Sequence, residues 1–271
     1  MGEKKYLIYK ISGGLCHMLG QINNAIYLSK VTNRTLIIDC FAHAFSRDFN
    51  NYFNIPDFHY NTSYDCLYQD ESLDKEIFDP YIRANAECIK EIYYLNDKII
   101  VNNVKDLLEN NDKIIYFTYM KGNVDDMPWY IKVNKNIVDK ISNNKISESY
   151  IGVHLRNTPD KTNEIIDFIP KIQNLSLTSN MVYFATDDCE AFDKLNKLLG
   201  SEFKIIQYTK PIKVPEGEKN IHYSNPNKDE IIMNALIDMY HLTYSTHFIP
   251  SINSSFSKRV MKLRKNDNFF N

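Results

Sequence analysis

Three places in the sequence gather polar side chains that could work together at one crevice. His154 and Arg156 follow the run Tyr150-Ile151-Gly152-Val153, Asp187 and Asp188 close the run Tyr183-Phe184-Ala185-Thr186, and Ser254, Ser255 and Ser257 cluster around Phe256. An arginine offers a planar fork of donors that suits phosphate and stays charged at any working pH. Its alternative at a strand end is a surface ion pair. Serine hydroxyls with the N–H groups of a helix start form an anion site, or simply an N-cap. Asp187-Asp188 suits a nucleotide contact or a cap. An adjacent pair without a D-x-D triplet is a poor cage for a metal ion. His17, His43 and His154 fall in no metal-ligand spacing.

For these groups to act together, strands must deliver them to one edge of a sheet. The second half reads that way: strand 150–155, a helical pattern over 165–172, strand 181–185, helix 190–199 with Gly200 as its C-cap, strand 203–208, helix 229–244, strand 247–252 and a final helix opened by the serines. Strand-helix alternation with right-handed crossovers gives a parallel sheet, whose ligands collect at the C-terminal strand ends. The first half begins alike, with strand 5–11, the Ser12-Gly13-Gly14 turn, helix 17–30 and strand Thr35–Asp39. From Cys40 to Asn96 the periodicity fails in an aromatic, polar stretch that either lines a sugar-binding surface or packs as an irregular insertion. Strands at 99–104 and 113–120 and a helix at 133–141 follow, then the polar segment Ser142 to Ser149, which suits a linker. The loop from Thr209 through Asn220 is read as a mobile connection.

Composition narrows the function. A chain of 271 residues with 44% hydrophobic residues buries a substantial core, and a net charge of −2 argues against nucleic-acid binding. No apolar run reaches the ~20 residues of a membrane span. Five cysteines without a CxxC pair suggest free thiols, and the sequons at Asn33, Asn61, Asn174 and Asn253 read as accidents of an Asn-rich composition. MGEKKYLIYK enters a strand without an apolar signal core, so a soluble, cytoplasmic protein is expected. GGLCHMLG carries neither the dinucleotide fingerprint nor a Walker A Gly-Lys-Ser/Thr, and no G-x-S-x-G elbow occurs.

Taken together, the segments resemble the GT-B fucosyltransferase superfamily of α1,2-, α1,6- and protein O-fucosyltransferases. Gly13-Gly14-Leu15 with Gln21, Ala25 and TLIID through Asp39 is similar to its N-terminal glycine loop, helix and second strand. Val153-His154-Leu155-Arg156 resembles its H-x-R-R motif, with Asn157 in place of the second Arg, and Asn253-Ser254-Ser255-Phe256-Ser257 resembles its N-S-T-F-S box. Thr186-Asp187-Asp188 is similar to its S/T-D strand end, while Cys16-His17 replaces the usual Gly-Asn and Pro159 is inserted before Asp160.

The resemblance implies an α/β fold of GT-B type, two Rossmann-like domains facing across a cleft. These are an acceptor-side domain over 1–145 and a donor domain over 146–271. It implies inverting transfer of fucose from GDP-fucose to a carbohydrate acceptor, with no metal and no cofactor beyond the donor. Arg156 then holds the diphosphate, Ser255 and Ser257 a phosphate, and Asp187 the ribose or guanine. His154, Asp188, Gly13, Gly14, Ser254 and Phe256 complete the donor site, and His43, His17 and Asp39 are the choices for a base. Two alternatives stand beside this: a glycan- or nucleotide-binding protein of the same fold without turnover, and a transferase of another GDP-sugar such as GDP-mannose.

Overall fold

A computed structural model describes residues 4–10, 14–39, 48–63, 65–69, 92–95, 114–117, 128–156, 165–211, 227–265 and 268–271. The expected strand at 99–104, most of the loop after Thr209, and Gly13 and His43 lie outside them. The chain divides into two compact units, Met1–Asn134 and Lys135–Asn271.

The first unit carries β1 (Tyr6–Lys10), α1 (Leu15–Thr32), β2 (Thr35–Asp39), β3 (Phe53–Asn54), β4 (Tyr60–Asn61), α2 (Asp65–Tyr68), β5 (Ile92–Leu95), β6 (Ile114–Phe117) and β7 (Lys132–Val133). Its main sheet is wholly parallel in the order β4-β2-β1-β6-β5, while β3 and β7 pair antiparallel. The Leu-Ile-Tyr and Leu-Ile-Ile runs of β1 and β2 are buried without alternation, as parallel strands covered on both faces require. The aromatic stretch therefore holds more order than its lost periodicity suggested, because β3, β4 and β5 are too short to show a pattern of their own.

Helix α1 begins at Gly14, whose carbonyl accepts the Met18 N–H, and ends at Asn33 in the left-handed region (φ 52°), which Asn tolerates. Its polar Asn23 is buried because it binds backbone. The side-chain amide donates to Pro128 O at 3.1 Å, and Oδ1 accepts the Tyr130 N–H at 2.8 Å.

The second unit carries α3 (Lys135–Ser142), β8 (Ile151–Leu155), α4 (Ile169–Gln173), β9 (Met181–Thr186), α5 (Ala191–Leu199), β10 (Lys204–Ile206), α6 (Lys228–Tyr244), β11 (His247–Ile249) and α7 (Ser255–Lys265). Its sheet is parallel in the order β10-β9-β8-β11. From β8 the chain first moves outward through β9 and β10, then returns to place β11 on the other side. The strand order thus reverses between β8 and β11, and open α/β sheets bind ligands at the carboxyl edge of such a reversal.

The two-residue period of β8 sorts its neighbours. Ile151, Val153 and Leu155 join Val182, Phe184, Leu195 and Phe203 in the core beneath α4 and α5. Gly152 and His154 face the opposite side. A Cβ on Gly152 would lie 2.6 Å from Ser245 Oγ, so glycine lets the end of α6 approach β8 closely. On that same side Tyr183 and Thr209 donate hydroxyl bonds of 2.7 and 2.8 Å to Asp238 Oδ1.

Desolvation pushes the Asp238 carboxyl up to about 7, outweighing the two hydroxyl bonds that pull it down. A carboxyl raised on folding stabilises fully below its unfolded value near 3.8, and that contribution is lost as pH rises through about 7. Asp238→Asn keeps the acceptor oxygen without the charge. It should melt with the wild type at pH 4 and several degrees above it at pH 8, a difference that thermal unfolding at the two pH values reads directly.

Candidate functional site

Register assembles the site. Leu155 pairs with Thr186 as the last rung between β8 and β9, so Arg156 and Asp187 leave the sheet side by side. They form an ion pair, Nη1 to Oδ2 at 2.6 Å, with side chains 38% and 29% exposed. Exposure at that level makes the pair a holder of position more than a source of stability. The family resemblance implies separate roles for the two residues, diphosphate for one and ribose or guanine for the other. The structure sets them in contact.

On the other side of β8, the chain leaves β11 through Pro250, Ser251, Ile252 and Asn253 and enters α7. Asn253 takes the left-handed region (φ 60°), and Ser254 caps the helix: its Oγ accepts the Ser257 N–H at 3.3 Å, and its carbonyl accepts the Lys258 N–H at 3.0 Å. Ser254 is therefore the cap that the motif left open. Ser255 is exposed at the first position of the helix. Among the described residues, the N–H groups of Ser255 and Phe256 have no protein acceptor, as expected for the leading amides of a helix. They are donors at the positive end of the helix dipole.

Ser257 is fully buried. Its hydroxyl stands 2.7 Å from His154 Nδ1 and accepts the Ser251 N–H at 3.1 Å. The tautomer of the ring sets the sense of that bond: with the proton on Nε2 the hydroxyl donates to Nδ1, and with the proton on Nδ1 it accepts. Burial first, and then the Arg156 guanidinium, hold the imidazole down at about 3, so it is neutral at working pH. The Phe256 ring lies 4.8 Å from the His154 ring. His154 is thus a fixed, uncharged part of the wall.

Asp188 serves a turn. Its N–H donates to Thr186 Oγ1 at 3.1 Å, and its Oδ1 accepts the Glu190 N–H at 2.8 Å, leading the chain into α5. In the first unit, Gly14 stands at the start of α1, His17 lies in its first turn and the buried Asp39 ends β2, all at the carboxyl edge of that sheet. Burial lowers the His17 pKa. Among the described residues, no group of three or more His, Cys, Asp or Glu is arranged to hold a metal ion, and no helix is long and apolar enough to cross a membrane.

Ser251 was missed at the level of sequence. It is buried, donates to His154 O at 2.8 Å and accepts the Arg156 N–H at 2.7 Å. The available signal was a serine directly after the proline that ends β11.

The described residues of the second unit place the Arg156 guanidinium, two helix-leading amides with no protein acceptor among them and an exposed hydroxyl after neighbouring strands, backed by a buried relay at a sheet reversal. That set suits an anionic group with several oxygens, and phosphate is the commonest such group on α/β sheets.

No family model and no curated protein matches the sequence. Solved structures do. The fucosyltransferase NodZ from Bradyrhizobium aligns over 95% of this chain and 92% of its own, with a TM-score of 0.58 and 18% identity. POFUT1 in complex with GDP-fucose aligns over 98% and 95%, with a TM-score of 0.61 and 11% identity. A variant of Arabidopsis thaliana FUT1 in complex with GDP aligns over 97% of this chain and 69% of its own, with a TM-score of 0.57 and 13% identity. The chain has the fold of these fucosyltransferases, the α/β fold of GT-B type expected from the sequence.

Proposed function

We propose that the protein is an inverting glycosyltransferase that moves fucose from GDP-fucose to a hydroxyl of a carbohydrate acceptor without a metal ion. The observation that carries this reading is that Arg156 follows β8 and α7 follows β11, the two paired strands between which the strand order reverses, so that a guanidinium and the leading amides of a helix belong to the same carboxyl edge. In the proposal the second unit holds the donor and the first unit serves the acceptor. Two of the three solved structures compared above contain GDP or GDP-fucose, which supports the choice of nucleotide.

The chemistry follows from where charge develops. The acceptor oxygen attacks the anomeric carbon from the face opposite the phosphate, the carbon–oxygen bond to the β-phosphate breaks, and its electron pair goes to the departing diphosphate. With no cation to neutralise it, that diphosphate needs fixed donors whose bonds strengthen as negative charge grows. Arg156 and the Ser255 and Phe256 N–H groups have this character, with the Ser255 hydroxyl beside them. The buried Ser257 supports the wall through His154 in place of a direct phosphate contact. Asp187 holds Arg156 and reaches toward the ribose or guanine. The acceptor proton passes to water or to a base of the first unit, for which His17, Asp39 and His43 remain the choices.

The test is incubation of the protein with GDP-fucose and a panel of glycans, without added metal and with a chelator present. Release of GDP together with a fucosylated product supports the proposal. Nucleotide binding with no turnover on any acceptor identifies a binding protein of the same fold instead, and turnover with GDP-mannose in place of GDP-fucose changes the sugar.

A further inference from the structure

Pairing between β11 and β8 runs His247 with Ile151, Phe248 with Gly152 and Ile249 with Val153, which would next set Pro250 against His154. Proline has no N–H to offer, so the ladder stops there. One residue later the Ser251 hydroxyl takes its place: it gives its proton to the His154 carbonyl and receives the Arg156 N–H. A side chain thus acts as the missing backbone neighbour for the last residues of β8. The Ser251 N–H in turn donates to Ser257 Oγ, which meets His154 Nδ1, so the same residue ties the strand end to the first turn of α7. Ser251, Ser257 and His154 are all buried, and little solvent is at hand to replace a lost bond.

We propose that Ser251 is the positioning residue of the anion site: its hydroxyl fixes the backbone from which Arg156 projects and so sets the grip on the diphosphate without touching the nucleotide. This rests on the donor-site reading above. Removing the hydroxyl leaves the Arg156 N–H and the His154 carbonyl without their partner at the end of a strand, and the guanidinium follows its backbone. Misplacement of a binding group by ~1 Å costs up to about a hundredfold in a preorganised site, and a partial shift costs about tenfold.

The experiment is a set of titrations with GDP and with guanosine, which lacks both phosphates, on the intact wild type, Ser251→Ala, Arg156→Ala and the double variant. Expected are a roughly tenfold loss of GDP affinity in Ser251→Ala, guanosine affinity within about twofold of wild type, and less than about a further twofold loss of GDP affinity when Ser251→Ala is added to Arg156→Ala. Equal losses for GDP and guanosine, or losses that add in the double variant, overturn the positioning role. If Ser251→Ala does not fold, Ser251→Cys keeps the position filled with a slightly larger, weakly bonding thiol and takes its place. Failure of the wild type to bind GDP at all is a different result: it removes the donor-site reading, and this inference falls with it.

Discussion

Arg156→Ala should lose GDP binding by about two to three orders of magnitude while the fold survives. An arginine on a diphosphate makes two or more charge-assisted bonds, each worth about 1.5–3 kcal/mol, and about 3–4 kcal/mol in all corresponds to about 10²–10³ in affinity. The loss is specific to the ligand because the residue does little for stability. Its side chain is 38% exposed and that of its ion-pair partner Asp187 is 29% exposed, so thermal unfolding should shift by no more than ~1 kcal/mol. Arg156→Lys keeps the charge but not the fork and should recover only part of the affinity. Calorimetric titration of the three proteins, paired with their melting curves, reads both halves of the expectation.

Arg264→Ala should do the reverse, costing stability with little change in affinity. Helix α6 ends at Tyr244, and its last carbonyls need partners outside the helix. Arg264, reaching back from α7, gives Nη1 to Leu242 O at 3.1 Å, Thr243 O at 3.0 Å, Ser245 O at 2.5 Å and Ser245 Oγ at 2.9 Å, and Nη2 to Thr246 O at 3.2 Å. A cation there also complements the negative end of the α6 dipole. Its removal strips donors from four carbonyls where Gly152 brings the helix end hard against β8, at a cost of about 2–3 kcal/mol for the charged bonds. For a chain of this size that is a fall in melting temperature of roughly 5–10 °C. Arg264→Lys, with one point of attachment, should fall between. Below the transition, GDP affinity in both variants should stay within about twofold of wild type, a change of under ~0.5 kcal/mol.

The two variants separate what the sequence made legible from what it did not. β2 over Thr35–Asp39 was readable to the residue, and β8 and β9 within one, because buried parallel strands are continuous apolar runs that end in polar residues. Arg156 and the serine box were legible for the same reason, since each stands where such a run stops. The contact between Arg156 and Asp187 was not, because it follows from the β8–β9 register, which no local pattern encodes. Nor was the division of labour among the serines. Ser254, Ser255 and Ser257 look alike in the chain, yet helix geometry makes one a cap, leaves one exposed and buries the third against His154.

Strand β11 was read as reaching Ile252 and stops at Ile249, since Pro250 cannot donate to the ladder. That early stop is what gives Ser251 its place. The cap of α5 at Gly200 was visible because a left-handed φ of 64° after an amphipathic helix favours glycine. Arg264 and Gly152 carried no motif at all. Their importance lies in the close approach of α6 to β8, a packing fact that appears only once the sheet is assembled.

The most direct test of the central claim is a calorimetric titration of GDP, and separately of UDP, into the intact wild-type chain in the presence of a chelator. The account predicts saturable binding of GDP at a single site, at least about tenfold tighter than UDP, a preference of ~1.4 kcal/mol or more, and unchanged when the chelator is omitted. Absent GDP binding, or equal affinity for the two nucleotides, would contradict it.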